Sequence, residues 1–313
     1  MGTIDQVPVG RTALRIGRIG LGSGTFGREI DEETARAVLD HAFERGVTCI
    51  DSAEGYGGGG SEAFVPSERI LGTWIADRGV QDQVVVMTKV GSGNSPANLE
   101  QVIAQSLERL QLDRVAVYMV HHWDEAVPLD ETLHALHEVV ASGRAQAIGC
   151  SNFTGEQLAQ ALEISRRNGW ARIEIVENIY NLARPEEEQS SMPVCDRHQV
   201  TFLAFSPLGA GFLTGKYTGD RGRLPAGTRF DVAPAHCDVY FSDRNFRVVE
   251  RLRAKAAELG ESMAYLAGAW TVSNPSVGST LFGARSTAQV DNALRCLRDG
   301  IDAGLRAEMA RWS

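Results

Sequence analysis

The chain has 313 residues, 43% hydrophobic and 23% charged, enough to bury a full core as one α/β barrel or as two smaller domains. Its formal net charge of −9 argues against a nucleic-acid-binding protein, which would carry an excess of Lys and Arg on one face. Five cysteines, an odd number without C-x-x-C spacing, suggest neither a disulfide framework nor a zinc site.

The first residues, Met1-Gly2-Thr3-Ile4-Asp5-Gln6, lack a cationic segment followed by an apolar one. No run approaches the roughly 18 apolar residues of a membrane span. A cytoplasmic protein is expected.

In chain order, residues 6–16 can form a hairpin. Strand-like and helix-like patterns then alternate almost to the end, as in repeated βα units. The strand patterns cover residues 18–22, 48–51, 84–89, 115–121, 147–151, 172–178, 201–205 and 277–282. Helix-length segments between them carry apolar residues at 3.6 spacing, such as Leu99, Val102, Ile103, Leu107 and Leu110, or Val248, Val249, Leu252, Ala256 and Leu259. Start signals stand at Asp31, at Ser67-Glu68 after Pro66, and at Thr154 followed by Glu156-Gln157. The count predicts a single (β/α)8 barrel over residues 1–313 with an N-terminal β-hairpin. Two stretches depart from the alternation: residues 208–243, rich in Gly, Pro and Arg without sustained periodicity, and residues 57–60, a glycine run after Tyr56. Both read as functional loops.

Gly22-Ser23-Gly24-Thr25-Phe26-Gly27 fits G-x-G-x-x-G after a strand. In a Rossmann fold the third Gly lies inside a helix, whereas the helical signal here begins only near Asp31, so the turn is assigned to a barrel mouth. His121-His122 does not make a metal site. Neighbours on a strand point to opposite faces, which turns His122 away from the barrel interior.

Asp51, Tyr56, Lys89 and His121 each stand at or just past a strand end, where a parallel barrel brings distant residues to one mouth. Singly they read as an ion pair, a packed Tyr and a satisfied His. Together they can run acid–base chemistry: the Lys89 ammonium favours Tyr56 phenolate and lowers its pKa, Asp51 holds Lys89, and a neutral His121 hydrogen-bonds a substrate carbonyl.

With the motifs around these residues, Asp51-Ser52-Ala53-Glu54-Gly55-Tyr56-Gly57, Thr88-Lys89-Val90 and Tyr118-Met119-Val120-His121, the chain resembles the aldo-keto reductase family and its Asp, Tyr, Lys and His tetrad. The likeness extends from about Val7 to Leu297. It implies an NADP(H)-dependent enzyme that reduces an aldehyde or ketone, with Tyr56 as general acid. Gly149-Cys150-Ser151-Asn152-Phe153 is similar to the family segment whose Ser and Asn hold the nicotinamide carboxamide. Phe205 stands for the stacking aromatic, and Ser206, Pro207, Leu208, Gly209 and Gly211 for the lining of the pyrophosphate. Gly24, Thr25 and Phe26, at the same mouth, are expected to contact the cofactor, as are Asp51 and Glu177. Lys216 and Arg229 resemble phosphate contacts, and Gly283, Arg285, Gln289 and Asn292 the end that grips the adenosine 2′-phosphate.

The sequence departs from the family at Glu177, where Gln is usual three residues before the Tyr180-Asn181 pair. Its carboxylate is expected to accept from the carboxamide and to favour the positively charged, oxidised nicotinamide; the competing assignment pairs it with a neighbouring cation. His122 replaces a frequent Arg, Phe205 a Tyr or Trp, and Asn292 stands where an acid is usual. Phe26, Trp123 and residues 231–240 are candidate substrate walls. A sugar or nucleotide-linked ketosugar is one candidate substrate among carbonyls generally. The alternative function is a nucleotide-binding redox sensor or auxiliary subunit with little turnover. A small-molecule carbonyl partner is expected, with no nucleic acid, membrane or metal.

Overall fold

The computed structural model describes residues 4–58 and 66–313. Strands β1 (Gln6–Pro8) and β2 (Arg15–Gly17) pair antiparallel, with Val7 opposite Ile16. The following eight are β3 (Ile19–Gly22), β4 (Cys49–Asp51), β5 (Val85–Val90), β6 (Val115–Val120), β7 (Ala145–Ser151), β8 (Ile173–Ile179), β9 (Thr201–Phe205) and β10 (Ser279–Gly283). They close into a parallel barrel in chain order, β10 pairing with β3. The expected (β/α)8 barrel and its hairpin are both present. Gly22 ends β3 and the next helix begins only at Glu32, so the glycine turn is part of the mouth.

Two apolar layers hold this architecture. Inside the barrel, Val9 and Ile16 of the hairpin region pack with Cys49, Met87, Val117, Met119, Ala147, Ile175, Leu203 and Leu281. The hairpin thus fills the N-terminal end of the barrel. Between barrel and helices lies the larger cluster, to which the Pro96–Leu110 helix contributes Leu99, Val102, Ile103, Leu107 and Leu110. Each such side chain contributes about 1.5–3 kcal/mol by leaving water.

Local signals position the helices. Asp31 accepts from the Thr34 amide at the start of Glu32–Glu44, and Thr154 forms a reciprocal capping box with Gln157 at the start of Gly155–Asn168, satisfying amides that have no partner inside the helix. On Asp243–Leu259 the buried stripe is Val248, Val249, Leu252 and Ala256. Leu259, expected to continue it, is 45% exposed. It is the last helical residue before the left-handed Gly260 cap, where the chain turns away.

More helix is present than one per strand. The aperiodic stretch from residue 208 to 243 contains short helices Arg229–Val232 and His236–Tyr240, and Asp243–Leu259 and Met263–Val272 both precede β10. The stretch has a core of its own. Tyr217 stacks on Phe230 with ring centroids 4.3 Å apart, and Phe212 lies 5.6 Å from Tyr240. Of the glycine run after Tyr56, Gly59 and Gly60 lie outside the described residues.

Candidate active site

The inward-facing register that builds the barrel core also builds the site. Two residues beyond Cys49, Met87, Met119, Ile175 and Leu203 come Asp51, Lys89, His121, Glu177 and Phe205. Because side chains alternate along a strand, a position two beyond a core residue faces the same interior, one layer nearer the mouth. Gly149 keeps the interior open for this layer: a Cβ there would lie 2.6 Å from Ile175 Cγ2 and 2.7 Å from Met119 Cγ.

Lys89 is the hub. Its Nζ donates to Asp51 Oδ1 at 2.5 Å, to the Ser52 carbonyl at 3.1 Å and to the Tyr56 hydroxyl at 3.4 Å. The ammonium is fully buried and Asp51 is 2% exposed. Burial works against the Lys89 charge, but Asp51 and then Glu177 outweigh it and hold its pKa above the ordinary lysine range. Tyr56 lies over Gly24, and the His121 ring meets it edge-on at 5.7 Å. The four expected catalytic residues therefore converge.

The electrostatics differ from expectation at Tyr56. Its pKa lies above, not below, the ordinary phenol value, because burial outweighs the pull of Lys89. The phenol is thus held as an acid. Burial, with Lys89 and His122 nearby, lowers the His121 pKa to about 3. The ring is a neutral imidazole, as a hydrogen-bonding partner for a carbonyl requires.

His122 does not turn away. Its ring stacks on His121 with centroids 4.6 Å apart and planes within 2°. β6 ends at Val120, so His121 still follows the inward register of the strand while nothing holds His122 on the opposite face. Glu54, not singled out by the sequence reading, accepts from the amides of Gly91 and Ser92 at 2.5 Å each and fixes the turn after β5. Its only sequence signal was an acid inside the Asp51–Tyr56 segment.

Around this centre, the Ser151 hydroxyl donates to the Glu177 carbonyl at 2.8 Å, and Asn152, at φ +59°, donates to the His121 carbonyl at 3.0 Å. Phe205 is half-buried at the end of β9. Glu177 Oε2 lies 3.3 Å from Lys89 Nζ, so the residue expected at the carboxamide also has the neighbouring cation of the competing assignment. Phe26 is fully buried in the outer core, so its side chain is packing and not a wall of the mouth. Thr25 Oγ1 donates to the Ala284 carbonyl at 3.4 Å.

The loop after β9 has the chemistry of an anion cradle. Ser206, Gly209, Ala210 and Gly211 all have positive φ, a backbone habit that gathers amides into a concave donor surface. Lys216 leans on it: a Cβ at Gly211 would lie 2.9 Å from the Lys216 Nζ. Burial and then the Arg285 charge lower the Lys216 pKa, so two cations act on each other at this loop. The Arg285 guanidinium donates to the Gly227 carbonyl at 3.0 Å, and its amide donates to Gln289. These features fit a phosphate-bearing ligand. Arg229 is committed elsewhere, to Glu29 at 2.9 Å. Asn292 points toward Cys296, with Nδ2 3.9 Å from its sulfur.

Beside His122 and Trp123 is a cavity of about 120 Å³, also lined by Val90, Gly91, Gly93, Asn94 and Asp124. Trp123 stands edge-on to Phe153 at 5.3 Å. Tyr240, within the other expected wall, is buried and accepts from Asn181 Nδ2 at 3.1 Å.

The model of the aldo/keto reductase family matches residues 18–303. The chain belongs to this family. Membership supports oxidoreductase chemistry of the carbonyl-reducing kind. The chain is 32% identical to a probable voltage-gated potassium channel subunit beta of Oryza sativa subsp. japonica over 302 residues, covering 92% of this chain and 90% of that one. It is 29% identical to the oxidoreductase YrpG of Bacillus subtilis over 96% of this chain and 93% of the relative. The L-glyceraldehyde 3-phosphate reductase of Escherichia coli is 29% identical over 93% and 86%. Among the described residues no helix is long and apolar enough to cross a membrane.

Proposed function

We propose that this aldo-keto reductase reduces an aldehyde or ketone to an alcohol with NADPH, Tyr56 supplying the proton. The observation that carries the reading is the Tyr56 hydroxyl 3.4 Å from a buried Lys89 ammonium at the barrel mouth, with neutral His121 edge-on to the same ring. When bound, the cofactor supplies a hydride to the carbonyl carbon. His121 orients the carbonyl oxygen for that attack, Tyr56 gives the oxygen its proton, and Lys89 stabilises the phenolate left behind, itself held by Asp51.

Ser151, Asn152 and Phe205 offer polar partners and a flat face for the nicotinamide, the loop from Ser206 to Gly211 with Lys216 suits a pyrophosphate, and Arg285 suits a 2′-phosphate. The polar lining of the cavity beside Trp123 favours a hydroxylated carbonyl such as a sugar, free or nucleotide-linked. A relative named for glyceraldehyde 3-phosphate reduction is consistent with that class.

Tyr56→Phe removes the proton donor while leaving the cofactor contacts. Turnover is expected to fall by about a hundredfold or more, with cofactor dissociation, read by fluorescence titration, nearly unchanged. Near-normal reduction by the variant would overturn the assignment. NADPH consumption across aldehydes, ketones and nucleotide-linked ketosugars, repeated with NADH, identifies the substrate class and cofactor preference. Relatives named as potassium channel subunits keep the auxiliary alternative in view; cofactor binding without hydride transfer to any of these carbonyls would favour it.

A further inference from the structure

Two acids, not one, meet the site lysine. Asp51 Oδ1 lies 2.5 Å and Glu177 Oε2 3.3 Å from Lys89 Nζ, and both carboxyl groups are 2% exposed. Among the described residues the Glu177 Oε2 atom has no hydrogen-bond partner; its approach to Lys89 is close enough for charge attraction but not aligned for a bond. One ammonium balances one carboxylate. A second ionised carboxylate in the same dry space would leave uncompensated negative charge, which buried sites avoid by keeping a proton.

The groups facing Glu177 are Asp51 and Cys49 on β4, Lys89 on β5 and Tyr56 after β4. The flanking strands present Ser151 from β7 and Leu203 and Phe205 from β9, none of them charged. Among the described residues Lys89 is therefore the one cation in that group.

We propose that Glu177 and Asp51 share one proton beside Lys89, making Glu177 a positioning residue: as an acid it leaves the lysine charge to Tyr56, and once ionised it slows carbonyl reduction. The inference rests on the carbonyl-reductase reading above. Burial first, then Asp51, push the Glu177 pKa up to about 8 against the opposing pull of Lys89. Below that value Glu177 keeps its proton, and Lys89 pairs with Asp51 alone. As pH rises through it, a second negative charge appears against Lys89. The Tyr56 phenolate, which must form as the phenol proton moves to the substrate oxygen, is then less well compensated.

The test compares wild type with Glu177→Gln, an amide that cannot ionise. With NADPH bound, the wild-type single-turnover reduction rate should fall by about tenfold between about pH 7 and about pH 9, and the variant should show no such limb in that range. Superimposable profiles would overturn the proposal. A second readout uses the cofactor-free protein. Infrared difference spectra of wild type should show a buried carboxylic-acid carbonyl band at neutral pH that disappears on raising the pH with a midpoint near 8, and Glu177→Gln should lack it. A wild-type protein without that band at neutral pH has no shared proton, and the idea fails. Should the variant not fold, the wild-type infrared titration decides alone. Should no carbonyl be reduced, the functional reading falls while the infrared result still judges the proton.

Discussion

His121 and Tyr56 owe their chemistry to burial more than to their partners. The His121 pKa is depressed from 6.5 to about 3, with burial the largest cause. A depressed pKa means that the folded protein prefers the neutral ring, so this contribution to stability is present above pH 6.5 and is lost as pH falls toward about 3. The ring proton signals of His121, followed by NMR, should show no titration between about pH 5 and about pH 8. A midpoint near the ordinary histidine value would show that the imidazole is not held neutral. The same scale shows what residue identity can and cannot say. Asp51, Tyr56, Lys89 and His121 were legible because strand ends and a family motif mark them. The upward shift of Tyr56 was not, because the competing desolvation depends on what covers the hydroxyl. The stacking of His122 was hidden too, since it follows from β6 stopping one residue before His121.

Among the elements, the inner faces of the strands determine how the mouth is shaped. Gly149 on β7 stands where any side chain would strike Ile175 and Met119. Gly149→Ala should destabilise the protein by about 1–3 kcal/mol through overpacking, read as a lower urea midpoint, and should displace Glu177, which follows Ile175 on β8. An unchanged midpoint would show that the barrel interior yields easily at this layer. The strands and the amphipathic helices were readable because period 2 and period 3.6 are properties of sequence alone. The stretch from residue 208 to 243 was not, because Phe212, Tyr217, Phe230 and Tyr240 follow neither period and meet only when the chain folds back on itself. Leu259 shows the opposite limit: its spacing fits the buried stripe, but the helix ends there and leaves it exposed.

At the scale of the molecule, the two ends of the barrel have separate tasks. Val9 and Ile16 fill the N-terminal end, while the tetrad and the anion cradle gather at the opposite mouth. Truncating the plug should therefore cost stability without dismantling the site. Ile16→Ala is expected to lose about 2–5 kcal/mol, measured by denaturant unfolding, with cofactor affinity under native conditions close to that of wild type. A large loss of affinity in a protein that remains folded would mean that the plug also shapes the mouth.

Alternation of strands and helices, the hairpin ahead of them, and the four residues at the strand ends were all determined by the sequence, because each is a local pattern or a contiguous motif. The tertiary structure decided which groups share a dry space. Glu177 lies 126 residues from Asp51 in sequence, and only closure of the barrel brings both onto Lys89. Lys216 and Arg285 likewise converge only through the fold of the long loop against the end of β10. Charge and desolvation act through distances in space, and no spacing along the chain encodes them.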